Sequence, residues 1–287
     1  MCADLDTLLI AIYCAACELP ASRRRGRKAK ISDAELICLG VAQVLLDKPS
    51  DRLFLAWAKV RLGHLFPYLP KQPGYQKRMV KLAPAVCELI RVFAWDCEGT
   101  YEALRLLDST PLPCAASRET VKRSDLAGLA GYGYCAAHSR YFWGFRLYLV
   151  CAPNGMPVGF DLAPANVDER KASREILERC LHGGETVLGD KGFAGREFSA
   201  FVASLHASFI RPARRDEPAS ASYGPIRQWI ESVFATLKLQ LSLERHGARK
   251  LPGLRIRIAQ RLLALAAAIW LNTKLGRRPR SLTAYAV

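Results

Sequence analysis

Residues 104–112 read LRLLDSTPL, an apolar run of strand length interrupted by a single carboxylate, Asp108. Upstream of it the hydrophobic residues recur at helical spacing; from here the pattern becomes that of strands. Working outward, Tyr141–Val150 (YFWGFRLYLV) is rich in β-formers, Asn154-Gly155 supplies a tight hairpin turn, and Pro157–Leu162 returns alongside. Glu185–Asp190 (ETVLGD) is a second buried strand ending on a carboxylate, and Ser208–Arg211 is a last short one. Between them Asp168 is placed to cap a helix through Leu181, and another helix falls near Arg196–Leu205. Pro225 opens a helix running to about Leu241, and a long helix occupies Leu251–Leu275. The order β-β-β-α-β-α-β-α predicts an α/β protein with a mixed sheet and helices packed on it.

Ahead of this core the first hundred residues read as helices. Asp4–Leu19 is amphipathic, and Arg23–Lys30 (RRRGRKAK) is a basic linker expected to stay solvated. In SDAE, Ser32 and Glu35 have the spacing of a capping box, so a helix begins there and stops at the turn DKPSD. Asp51–Leu62 and Tyr75–Ala94 are the next helices, separated by the proline-rich loop Phe66–Pro73. Two capped helices across a short turn fit a helix-turn-helix reader of DNA and fit an ordinary helical bundle equally. No internal repeat is visible.

Composition narrows the function classes. Hydrophobic residues make up 51% of the 287, enough for a buried core. The net charge of +16 is uneven: residues 201–287 hold 15 basic groups against 4 acidic, whereas residues 101–200 hold 12 of each. A basic flank beside a neutral, carboxylate-bearing middle suits a protein that attracts a polyanion and works on it. The ten cysteines follow an acidic start, MCADLDTLLI, unlike a secretory leader, so reduced thiols are expected. Cys14 and Cys17 form one CxxC with no second pair at zinc spacing. The longest apolar run, Leu262–Leu271, is far short of the ~20 residues that span a bilayer. The expectation is a soluble, cytoplasmic protein with no membrane partner.

Asp108 and Asp190 each stand in an apolar strand context, where a carboxylate is costly unless paired or bound to metal. Each alone also reads as a strand-end residue capping a turn. A third carboxylate, Glu231, lies on the helix IRQWIESVFATLKLQL, on one face with Arg227 and Lys238. An Arg–Glu pair four residues apart is equally the pattern of a solvated helix face. Taken together, three carboxylates are the donor set that holds two divalent ions about 3.5–4 Å apart for phosphoryl transfer. Mg²⁺ prefers such oxygen ligands and keeps open positions for phosphate oxygens. Arg227 and Lys238 would then hold neighbouring phosphates.

One ordered set of motifs runs the length of the chain. It comprises LDSTPL around Asp108, YGYC at Tyr132–Cys135, YFWGFRLYLV, PAN at Pro164–Asn166 and GDKGF around Asp190. Arg227, Glu231 and Lys238 then follow as R-x3-E-x6-K, and LERHGAR lies at Leu243–Arg249. Together they resemble a DDE-type transposase of a bacterial insertion sequence, in the family numbered nine-eighty-two, with a ribonuclease H-like fold. The resemblance implies catalytic and metal-binding roles for Asp108, Asp190 and Glu231, with two Mg²⁺ ions and Mn²⁺ as substitute. It implies binding to the element's terminal inverted repeats, cleavage there, and joining of the 3′-hydroxyls to target DNA. Its signature arginine and lysine fall on Arg227 and Lys238, and Lys191 beside Asp190 either contacts DNA or offsets local charge. The wider signature has a tyrosine three residues before the arginine, where this chain has Gly224; Tyr223 is one place off and takes no role.

The expected organisation is a helical DNA-binding module over residues 1–98, a ribonuclease H-like catalytic domain over 99–275 and a basic tail over 276–287. Synapsis of two ends implies a homodimer at work. A nuclease of the same fold without strand transfer, and a non-catalytic DNA-binding descendant, are the alternatives. His138 and His246 read as polar surface residues or phosphate contacts, and Trp229 as packing. Arg255, Arg257 and Arg261 read as a phosphate track or a solvated face.

Overall fold

The computed structural model describes residues 4–20, 29–97, 102–135, 139–213 and 223–285. His138 and residues 23–28 of the basic linker lie outside the described residues. Two compact units result: Met1–Asp96 with Leu237–Val287, and Cys97–Thr236.

The second unit is built on a six-stranded mixed sheet. Strand β1 (Leu104–Ala115) lies at its centre, antiparallel to β3 (Arg140–Cys151) on one side and parallel to β5 (Thr186–Leu188) on the other. Beyond β5 comes β6 (Ser208–Ile210), also parallel. The far edge of β3 is shared: β2 (Gly131–Cys135) pairs with Arg140–Gly144, and β4 (Pro157–Pro164) pairs with Phe145–Cys151. Leaving β2 aside, the strand order is β4-β3-β1-β5-β6, a mixed sheet flanked by helices as the sequence predicts. β3 changes partner at Gly144, opposite a bulge in β1 between Pro113 and Ala115. A side chain there would place its Cβ 2.2 Å from the Leu112 carbonyl oxygen, so only glycine fits.

Between the strands run α6 (Arg118–Arg123), α7 (Glu169–Cys180) and α8 (Arg196–Ser204). Asp168 caps α7 by accepting the N–H groups of Arg170 and Lys171. One face of the sheet is sealed by Ile176 and Leu177 of α7 and Phe198 and Val202 of α8, clustered with Leu107, Val150 and Val187. Each aliphatic side chain so buried contributes about 1.5–3 kcal/mol. Helix α9 (Gly224–Leu239) buries Ile230, Val233, Phe234 and Leu237, the apolar stripe expected of it.

The first unit contains α1 (Leu5–Glu18), α2 (Asp33–Leu45), α3 (Asp51–Arg61), α4 (Gln72–Lys81), α5 (Ala83–Trp95) and α10 (Leu251–Lys274). The capping box at Ser32 and Glu35 forms as the sequence predicts. The single helix expected over Tyr75–Ala94 is instead two, broken at Leu82. Pro84 has no N–H to give to the preceding turn, so it opens a new helix rather than continuing the old one. Helix α2 is buried along nearly its whole length. At Gly40 it comes so close to α10 that a Cβ would stand 2.5 Å from the Gln260 amide nitrogen. Helix α10 packs on α5, α2, α1 and α4, which accounts for its apolar run. Among the described residues no helix is long and apolar enough to cross a membrane.

These units do not follow the expected segments, because the chain from Leu237 onward packs with the N-terminal helices. Nor is the basic tail loose: Tyr285 donates to the Asn272 side chain at 2.8 Å, and the Asn272 amide donates to the carbonyls of Pro279 and Ser281. Arg257 and Arg261 are internal rather than a phosphate track or a solvated face. Arg257 pairs with buried Asp51, which also accepts from Gln43 at 2.9 Å. Gln43 in turn accepts from the buried Tyr75 hydroxyl at 2.9 Å. Arg261 is 4% exposed and donates to the carbonyls of Ser242 and Arg257; burial lowers its pKa to about 10. Only Arg255 of the three is exposed.

Two stability predictions follow from this packing. Asp51→Ala leaves a guanidinium and an amide buried without their acceptor, and unfolding in urea should show a loss of roughly 3–5 kcal/mol; a loss within error would remove the network from the core. Asp96 accepts from the Trp270 indole at 2.7 Å and from Lys274 at 3.2 Å, which hold its carboxyl below the usual 3.8. A depressed folded pKa gives stability that is complete above the unfolded value and disappears as pH falls through the folded one. Asp96→Asn should therefore lower the Tm at pH 7, with the difference closing as pH falls below the usual carboxylate range. A difference independent of pH would mean that the charge contributes nothing.

Candidate active site

Asp108 sits on the central strand, two residues beyond Leu106, which is paired with Leu188 of the parallel neighbour β5. Asp190 is two residues beyond Leu188, so the two acids stand at the same level just past the parallel pairing of β1 and β5, Asp108 still within β1 and Asp190 beyond the end of β5. The carboxyl ends of parallel strands are where an open α/β sheet presents its ligand groups. Asp108 is half-buried, and its carboxyl accepts the Ser109 N–H at 2.7 Å. Burial pushes its pKa up to about 7; the Ser109 hydrogen bond opposes the rise, the negative charge of Asp190 adds to it, Arg227 opposes it, and Glu169 adds to it.

Asp190 lies past the end of β5 and caps a short 3₁₀ turn, Lys191–Phe193, by accepting the Lys191 N–H. The turn-capping reading of this residue is thus correct as local structure, and it does not exclude chemistry. Phe193 anchors the turn in the hydrophobic core. Both glycines of GDKGF are set by close approach. A Cβ at Gly189 would stand 2.9 Å from the Phe209 ring, and one at Gly192 would stand 2.7 Å from Oε2 of Glu169.

Glu231 projects from α9 one turn after Arg227. The same Arg227 nitrogen, Nη2, lies 3.5 Å from Oδ2 of Asp190 and 3.6 Å from Oε1 of Glu231. The two carboxylate oxygens therefore stand no farther apart than the sum of those distances. A guanidinium occupies the space between them. Among the described residues, no three His, Cys, Asp or Glu side chains are grouped closely enough to hold a metal ion.

A neighbouring network was not foreseen. Oε1 of Glu169 accepts from the Ser109 hydroxyl at 2.9 Å and pairs with Arg146 at 3.2 Å. Arg146 also donates to the Ser109 hydroxyl and, at 2.7 Å, to the Tyr134 carbonyl. Glu169 thus touches the residue after Asp108 and faces the turn after Asp190. Nothing in the sequence beyond its place next to the helix cap Asp168 singles Glu169 out.

The other expected residues are distributed as follows. Lys191 is exposed on the turn. Lys238 belongs to the first unit and pairs with Glu244 at 3.6 Å. The Tyr223 carbonyl accepts the Arg227 N–H at 3.0 Å. Trp229 is 40% exposed rather than packed, because it lies off the apolar stripe of α9. His246 is buried rather than a surface residue, and its Nδ1 accepts the Ala248 N–H at 3.1 Å. Cys14 and Cys17 are exposed free thiols, while Cys38, Cys97, Cys135, Cys151 and Cys180 are buried free thiols.

Comparison with known proteins bears on what this arrangement is. No curated protein matches the sequence significantly. A piggyBac transposase, solved as a synaptic complex with hairpin DNA, superposes with a TM-score of 0.44 at 10% identity, over 97% of this chain and 77% of that one. The sequence profile of the transposase DDE domain matches residues 102–267, from just ahead of β1 into α10. That is more than half of the 287 residues, and the chain belongs to the transposase DDE domain family.

Proposed function

We propose that this transposase binds the terminal inverted repeats of a bacterial insertion sequence, of the family numbered nine-eighty-two, and cleaves DNA at those ends. It then joins the freed 3′-hydroxyls to target DNA. Asp108, Asp190 and Glu231 are its catalytic acids in this reading. The observation that carries it is that one Arg227 nitrogen stands beside both Asp190 and Glu231, with Asp108 on the neighbouring strand at the level of Asp190, inside the segment matched by the DDE domain.

The donor set fits a hard divalent cation, Mg²⁺ with Mn²⁺ as substitute, because every candidate ligand is a carboxylate oxygen. Asp108 supports the fit: its crowded carboxyl is held toward the neutral form, a cost that a nearby cation removes. Held by these residues, two such ions would supply acidification of a water or 3′-hydroxyl and charge neutralisation at the leaving oxygen. Asp108 and Asp190 hold their positions from packed strands, and Glu231 adds a ligand from a helix. Arg227 balances Asp190 and Glu231 in the protein alone. With Lys191 and Lys238 it supplies cations that hold DNA phosphates without reading sequence. The helical unit supplies the reader of the repeats, and two copies bring two ends together.

Incubating the purified chain with a duplex bearing an element end and Mg²⁺ or Mn²⁺ tests this. Nicking at the end and joined products are expected, with Asp190→Asn lowering the rate by roughly 10³-fold or more. Undiminished cutting by Asp190→Asn would refute the assignment, and cutting without joined products would make the protein a nuclease instead.

Glu169 gives a second prediction. Gly192→Ala sets a methyl carbon against its carboxylate, so either the carboxylate leaves Ser109 and Arg146 or the turn that carries Asp190 shifts. End cleavage should fall by about tenfold or more, since small misplacements of reacting groups are costly, while affinity for the end stays unchanged. Full activity would show that this contact does not position the site.

A further inference from the structure

The motif GYGYC is not used by the acids, and the structure separates its two halves. Along β2 the residues alternate, with Gly131, Gly133 and Cys135 turned inward and Tyr132 and Tyr134 outward. The glycines are explained by the PAN motif. A Cβ at Gly131 would stand 2.0 Å from the Asn166 side-chain oxygen, and one at Gly133 would stand 2.7 Å from the Ala165 carbonyl. The tyrosines have no such explanation. Tyr132, Tyr134 and Tyr141 are 56%, 46% and 78% exposed, while Phe142 and Trp143 next to them are buried. Tyr134 is paired across the strands with Tyr141, their ring centroids 5.0 Å apart, and Tyr132 is paired with Trp143.

Beside this face is a cleft of about 820 Å³, lined among others by Cys114, Arg118, Tyr132, Arg140, Tyr141 and Trp143. Its described lining contains two arginines and no acidic residue. Neither Arg118 nor Arg140 has an ion-pair partner among the described residues, and both are exposed. Exposed aromatic rings with free cations beside them are the combination that takes up unpaired nucleotides: the rings stack on bases and the guanidiniums hold phosphates. Paired bases in a duplex keep their faces stacked on one another, so such a surface selects single-stranded or frayed DNA. The face is also tied to the acids, because the guanidinium of Arg146 that grips the Tyr134 carbonyl also holds Glu169.

We propose that the outer face of β2 and the start of β3, with its cleft, is a stacking site for unpaired nucleotides of DNA. It lies apart from Asp108, Asp190 and Glu231, and it rests on the reading that the chain acts on DNA. Tyr132 and Tyr141 supply the stacking surfaces, and Arg118 and Arg140 the phosphate contacts.

The test uses the full chain without divalent cation, and fluorescent oligothymidine and a blunt duplex of equal length as probes. Anisotropy should show that Tyr132→Ser with Tyr141→Ser weakens oligothymidine binding by at least about tenfold, two stacking contacts being lost. Duplex affinity should stay within twofold. The corresponding Tyr→Phe pair should bind as the parent does, since the ring and not the hydroxyl stacks. Arg140→Gln should weaken binding and flatten its salt dependence. Unchanged oligothymidine affinity in the serine pair overturns the proposal, as does equal loss in the phenylalanine pair. A parent oligomer that the serine pair dissociates also overturns it and assigns the face to a second copy. Normal end cutting beside unchanged oligothymidine binding sinks this inference alone; failure of the parent to bind either DNA sinks the function reading with it.

Discussion

Carboxylates on neighbouring chains just past the parallel pairing of two strands impose a requirement on everything around them. Asp108 within β1 and Asp190 beyond β5 stand at one level, and Glu231 is carried by α9. Like charges gathered at the edge of an apolar core are costly unless something positive lies among them. In the protein alone that role falls to Arg227, whose Nη2 lies within 3.6 Å of both Asp190 and Glu231. Among the described residues Asp108 has no such partner, and its pKa is pushed up to about 7, first by burial and further by the negative charge of Asp190. The surrounding chain accepts this cost rather than relieving it, for no other cation is paired with Asp108 or Asp190 in the described residues.

The geometry of the site depends on small residues that let other groups come close. Gly189 and Gly192 let the turn after β5 pass beneath the Phe209 ring and against Glu169. Gly144 lets β3 cross the Leu112 carbonyl where it changes partner, and Gly131 and Gly133 admit Asn166 and Ala165. Most of the motifs that run along the sequence are therefore either an acid or a close approach that keeps an acid's strand in register. The tyrosines of GYGYC belong to neither group.

Much of this was readable from the sequence where one local rule decided the outcome. Ser32 and Glu35, Asp168, and Asn154-Gly155 each form the cap or turn their residue types dictate. The strands around Asp108 and in YFWGFRLYLV appear within three residues of their expected ends. What failed needed tertiary information. Strand β2 was missed because two of its five residues are glycines, which have weak strand preference until a neighbouring chain demands them. Glu169 was not singled out because nothing along the chain announces Ser109, sixty residues away. His246, Arg257 and Arg261 were placed at the surface on residue type alone, and the carbonyls and carboxylates that draw them inward are distant in sequence.

Charge shows the same limit most clearly. By segment, residues 201–287 hold a large basic surplus and the first hundred residues hold ten acids. Within the first unit these two populations meet: Arg245 pairs with Asp47, Arg257 with Asp51 and Lys274 with Asp96. Arg261 is spent on carbonyl oxygens. Part of the C-terminal surplus thus joins the end of the chain to its beginning: Arg257 and Arg261 are held inside, while the Arg245 and Lys274 pairs lie at the surface. A net charge of +16 remains after such pairs are formed, since each pair removes one charge of either sign. Long-range attraction of DNA is then a property of the whole molecule, whereas grip on it belongs to the individual cations left without acids.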